Sequence, residues 1–182
     1  MRHVAHDVAR RVAKAVPGVA HSGAFDLDAR YRELEVGRRR PTQEQVAWAN
    51  RTLEAPEPPP GKADLPRIYA RRTLTLAEEP AIAKLPLQAL RIGPGVIATM
   101  PCEVFCEIGQ EFLARSALSP AIFASLGHGY FGYLPSARHH RLGGYETWLG
   151  TNKLEPTAAA AMLDALVAMT KELAAAIPPT PL

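Results

Sequence analysis

The sequence predicts a mixed α/β fold in which a mixed sheet is flanked by helices, and three observations carry that expectation. Residues 30–36 alternate their side chains as a half-buried strand does. Residues 3–16 and 158–173 repeat apolar positions every three or four residues, as helices with one buried face do. Segments of the two kinds alternate along the chain, which favours layered α/β packing. The chain has 182 residues, 47% of them hydrophobic, enough for one domain over 1–182 with a substantial core.

The first helix places Val4, Val8, Val12 and Val16 on one face with Ala5, Ala9 and Ala13 beside them, and Pro17-Gly18 ends it. Its start next to Met1, with no capping residue, suggests that sequence once preceded it. In the strand that follows, Arg32, Leu34 and Val36 share one side and Tyr31, Glu33 and Glu35 the other, with Gly37 as the stop. Pro41-Thr42-Gln43-Glu44 opens a helix to about Leu53, with Val46, Trp48, Ala49 and Leu53 as candidate buried positions. Residues 55–64 are a proline-rich surface loop, because proline cannot continue a helix.

A short helix over 67–79 comes next. Leu85, Leu87, Ala89, Leu90 and Ile92 mark a strand, and residues 95–100 a second, nearly all-apolar one, joined through Gly93-Pro94-Gly95. Pro101 opens a helix over about 103–116, with Val104, Phe105, Ile108, Phe112 and Leu113 inward. Residues 120–126 form a short apolar strand, and a glycine-aromatic loop follows. The last helix begins at Pro156-Thr157, buries Met162, Leu166, Met169 and Leu173, and ends at Pro178-Pro179. There are no internal repeats.

A net charge of +3 is small, and the basic excess is local, around Arg38-Arg39-Arg40. Without interleaved aromatics or a binding motif, that run reads as a solvated strand end, and no nucleic-acid partner is expected. No segment reaches the roughly 18 apolar residues of a transmembrane helix, and residues 158–169 are broken by Asp164. Two cysteines, Cys102 and Cys106, make no disulfide framework, and on a common helix they could not pair. A reducing, cytoplasmic location is the expectation.

Residues that could carry chemistry gather between Met100 and Tyr145. Glu103 is expected in the first turn of a helix after a buried strand, where a carboxylate either caps the helix or serves as a metal ligand or base. Tyr130, Tyr133 and Tyr145 lie beside glycines, so each is either packing or a phenol held close to a ligand. His139-His140 look like metal ligands, but adjacent loop residues rarely point at one ion.

Pro101-Cys102-Glu103-Val104-Phe105 is similar to the Pro-Gly-Glu-Phe-like segment of the neutral/alkaline, non-lysosomal ceramidase family. Tyr130 and Tyr133 stand three apart, and Tyr145-Glu146 begins twelve residues after Tyr133, as in that family. The run 92–146 thus resembles the C-terminal part of the family's catalytic region. The resemblance implies the C-terminal half of a larger two-part catalytic fold. It also implies a zinc amidohydrolase acting on an N-acyl amide or sphingolipid-like substrate. By resemblance Glu103 and Tyr133 are zinc ligands, while Tyr145, with Tyr133, acts on the scissile amide. The family's histidine ligands, its acid/base histidine and its substrate-binding arginine find no counterpart here, so the chain is expected to be inactive alone. It would need a missing N-terminal half, or self-association, to cover the surface left open. The alternatives are a non-catalytic ligand-binding or subunit module, and a complete enzyme that uses His128, His139 or His140 with Glu103.

Overall fold

The C-terminal helix is the floor on which the sheet is laid. The computed structural model describes residues 1–21, 25–59, 61 and 64–177. Its helices are α1 (Arg2–Ala15), α2 (Gln43–Glu54), α3 (Leu65–Glu78), α4 (Cys106–Arg115), α5 (Ala137–Leu142) and α6 (Ala158–Ala175). Its strands are β1 (Leu27–Gly37), β2 (Ile82–Ile92), β3 (Gly95–Met100), β4 (Glu103–Val104), β5 (Ala121–Ser125) and β6 (Tyr133–Leu134). Four strands form one sheet in the order β1-β2-β3-β5, antiparallel except for the parallel β3–β5 pair. The expected mixed sheet flanked by helices is therefore present.

The inner face follows from strand alternation. Leu85, Leu87 and Ala89 of β2 and Val96, Ala98 and Met100 of β3 are buried, and they meet Met162, Leu166, Met169 and Leu173 of α6. Those four α6 residues are the ones the helical period selects. Arg32, Leu34 and Val36 of β1 lie on the same side, and the Arg32 guanidinium pairs with Glu172 at the rim of α6. Ile108 and Phe112 of α4 close the core beside β5, where Phe112 and Phe123 stack at 5.6 Å.

Among the described residues no layer covers the outer face. The register aligns Ala29, Leu90, Ile97 and Ile122 in a row across all four strands, with Leu27 opposite Ile92 beside it. Ile122 is 55% exposed and Leu27 68%. An apolar row of this width normally faces a second layer. The valine face of α1 is also exposed, and no residue of that helix is buried.

The polar connections correct several expectations. Arg38-Arg39-Arg40 is not a solvated strand end. Arg38 pairs with Glu79 at 2.6 Å, and Arg39 donates to Thr147 O (2.6 Å) and Asn152 Oδ1 (3.1 Å). Arg40 donates to Leu76 O, Ala77 O and Glu79 O, the unsatisfied carbonyls at the end of α3. Arg67 does the same for Thr52 O and Ala55 O at the end of α2. These arginines are used inside the protein. In α2 a capping box joins Thr42 and Gln45, but only Ala49 is buried and Trp48 stays 38% exposed. Leu113 is likewise exposed rather than inward.

The helix expected from 103 begins later, at Cys106. Cys102 precedes it, so the two cysteines do not share a helical face. Both are free thiols, and burial pushes Cys102 up to about 12. The last helix ends at Ala175, and Pro178-Pro179 lie outside the described residues. No helix among those residues is long and apolar enough to cross a membrane.

Candidate functional site

The chain after β5 folds back along residues 100–103 and is stitched to them by backbone hydrogen bonds. Gly127 N donates to Met100 O (3.1 Å), Leu126 N to Cys102 O (3.1 Å) and Phe131 N to Pro101 O (2.8 Å). Glu103 N then donates to Gly132 O (3.0 Å), which starts the parallel β4–β6 pair. Glu103 therefore sits on a strand, not in a helix's first turn. Local sequence missed this because the pairing partner lies far along the chain.

The pairing sets Glu103 directly opposite Tyr133. Tyr133 is fixed from behind, where its N–H donates to Thr151 O (3.0 Å) and its carbonyl accepts from Asn152 Nδ2 (3.0 Å). Gly132, at φ +81°, makes that approach possible, since a Cβ there would run into Thr151 O. The Tyr133 and Tyr145 hydroxyls lie 3.0 Å apart, with the rings edge to face at 5.6 Å. Tyr130 donates to Glu103 Oε1 at 3.0 Å. Glu103, Tyr133 and Tyr145 are thus gathered into one cluster, with Tyr130 as a fourth member.

The electrostatics keep the phenols protonated. Hydrogen bonding to Tyr145, reinforced by the neighbouring Glu103 carboxylate, holds Tyr133 well above the usual phenol range. Tyr130 is raised too, by burial first and then by Glu103. Both remain hydrogen-bond donors at neutral pH. The cluster walls two hollows. One, of about 320 Å³, is lined by Glu103, Phe105, Ser125 and Tyr133. The other, of about 390 Å³, is lined by Tyr69, Arg72, Tyr130, Tyr133, Tyr145 and Lys153 among others.

The histidines go elsewhere. His128 meets Gln88. His139 stacks on Phe105 at 4.5 Å, bonds Ser136 Oγ at 2.8 Å and faces Glu107 at 3.4 Å. Burial, with Arg39 and His139 nearby, lowers the pKa of His140, whose Nε2 has no partner. Among the described residues none of the three is hydrogen-bonded to Glu103. Sequence reasoning also missed Tyr69, Arg72, Thr151 and Lys153. Their signal was faint: Tyr69 and Arg72 stand three apart on α3, hence on one face.

The fold and the cluster define a class: a mixed α/β unit that presents a carboxylate–phenol group between two hollows. No protein-family model matches the chain, and no curated protein does. Among solved structures it is similar to neutral ceramidase from Pseudomonas aeruginosa, with a TM-score of 0.53, 16% identity, and coverage of 85% of this chain and 29% of that one. It is also similar to a ceramidase complexed with C2, with a TM-score of 0.51, 16% identity, and coverage of 86% and 31%. At such identity the likeness is one of fold. The chain spans about 30% of the length of those structures.

Proposed function

We propose that this chain supplies the carboxylate–phenol part of an amidohydrolase site of the neutral-ceramidase kind, which hydrolyses an N-acyl amide bond. The observation that carries the reading is the pairing of Glu103 with Tyr133 in register, with Tyr145 bonded to Tyr133 at 3.0 Å. These are the three residues that the resemblance assigns to the metal and the scissile amide.

The residues present do not by themselves fit zinc. Glu103 and Tyr133 offer two oxygens, whereas zinc sites use about four ligands rich in nitrogen or sulfur. Among the described residues no group of three or more His, Cys, Asp or Glu could hold a metal. The nitrogen donors would come from polypeptide outside these 182 residues, and the chain alone is proposed to be inactive. What its own residues can contribute is oxyanion stabilisation: the Tyr133 and Tyr145 hydroxyls can turn toward a carbonyl oxygen gaining charge and donate to it. The open, apolar outer face of the sheet supports an absent second layer, which would be the histidine-bearing polypeptide.

A second reading has its own observation. Tyr130 already satisfies Glu103 and Tyr145 already satisfies Tyr133, as in a closed, non-catalytic ligand-binding or subunit module. Zinc content and amidase activity separate the two, measured on the chain alone and co-expressed with the histidine-bearing portion of a neutral ceramidase. The expected result is stoichiometric zinc and amide hydrolysis only in the combined protein. A combined protein that binds no zinc overturns the hydrolase reading.

A further inference from the structure

We infer that the 390 Å³ hollow beside the phenols is a carboxylate-binding pocket, so that the substrate is an acidic N-acyl amide of the N-acyl amino acid kind. The inference rests on the hydrolase reading for the word substrate, but the pocket is argued from its own walls. Two cations, Arg72 and Lys153, line it, and among the described residues no carboxylate does. Arg72 is held in place: its guanidinium lies 5.2 Å over the Tyr69 ring and donates to Thr151 Oγ1 at 3.1 Å.

Gly150 makes that placement possible, because a Cβ there would come within 2.6 Å of Arg72 Cβ. The helix neighbours Arg67 and Arg71 both lie against Glu57, at 3.3 and 3.8 Å, whereas Arg72 has no carboxylate partner among the described residues. Lys153 is steadied by Glu79 at 3.6 Å. An oriented guanidinium that has spent one of its five donors is suited to a planar carboxylate.

The remaining walls fit the rest of such a molecule. Tyr133 and Tyr145, whose hydroxyls are bonded to each other at 3.0 Å, line the same hollow. Leu65 and Ile68 stand exposed at its edge and offer apolar contact to an acyl chain. One hollow therefore presents cation, phenol donors and apolar surface together, the sequence of chemistries along an N-acyl amino acid. The volume is that of a small-molecule site.

The test is equilibrium binding of N-octanoylglycine and its uncharged amide, N-octanoylglycinamide, to the full chain, read by titration calorimetry or by NMR shifts of the pocket residues. The acid should bind at least about tenfold more tightly than the amide, since charge-assisted hydrogen bonds are at stake. Arg72→Gln should remove most of that preference and Lys153→Gln a smaller part, with both variants melting like the parent. Equal affinity for acid and amide overturns the inference, as does an Arg72→Gln protein that binds the acid as well as the parent. Octyl phosphate is the third ligand. If it displaces the acid at lower concentration, a phosphate-bearing lipid replaces the carboxylate as occupant and the assignment fails. No zinc or hydrolysis enters the readout, so failure here leaves the amidohydrolase reading standing, and failure of that reading leaves this result intact.

Discussion

Tyr133 carries more of the site than any other side chain, and its surroundings give it a measurable signature. Because Tyr145 and Glu103 raise its pKa, the folded protein holds the phenol proton more tightly than the unfolded chain, whose tyrosines titrate near 10. The corresponding stability is fully present below about pH 10 and is lost as the pH climbs toward the folded-state value. Denaturant unfolding of the parent should weaken above pH 10 by more than that of Tyr133→Phe. A difference between the two proteins that does not change with pH rules this out. Glu103, Tyr133 and Tyr145 stand out in the sequence by their setting beside a buried strand and glycines, and the resemblance assigns their roles. The sequence could not reveal that Tyr130 donates to Glu103, because that contact depends on a loop folding back over residues 100–103. The conspicuous His139-His140 pair drew attention for its residue type, yet His139 is engaged by Ser136, Phe105 and Glu107, and His140 Nε2 has no partner.

At the scale of elements, legibility tracks locality. The last helix, the two central strands and the turn between them follow from apolar period and glycine placement, all readable from neighbouring residues. The two-residue strands β4 and β6 do not. Each is too short to show alternation, and each exists because the other is beside it. The expected helix start at Glu103 failed for that reason: Pro101 and a following apolar run are good helix signals, and a non-local pair overrode them. The β6 end of that pair rests on Gly132, which has a left-handed φ of +81° and lies against the Thr151 carbonyl. Gly132→Ala should therefore lower stability by about 1–3 kcal/mol, the range for a strained left-handed residue, with the clash adding to it. Urea unfolding would show this as a lower midpoint at unchanged m. Tyr133 and Tyr145 should also separate, which restores ordinary alkaline titration to Tyr133. An alanine variant as stable as the parent would mean that β6 does not depend on the close approach.

For the molecule as a whole, the sheet is the informative object, because it is finished on one side only. α6 and α4 close the inner face with buried side chains, while the row Ala29, Leu90, Ile97 and Ile122 crosses the outer face with no covering layer among the described residues. Burial of apolar surface contributes about 25 cal/mol per Å², so a row of this kind gains strongly from any apolar layer laid on it. In the absence of the proposed histidine-bearing polypeptide, a second copy of the chain is the most abundant surface of matching character. The isolated chain should therefore sediment heavier than its 19.7 kDa, in a concentration-dependent way. Replacing Ile97 and Ile122 by threonine keeps the β-branched shape that suits a strand while removing apolar area. That double variant should sediment as a single chain and unfold with a similar midpoint, since neither side chain is in the core. A parent chain that stays monomeric at high micromolar concentration would show that the exposed row is tolerated as it stands, and would remove the main physical support for a missing layer.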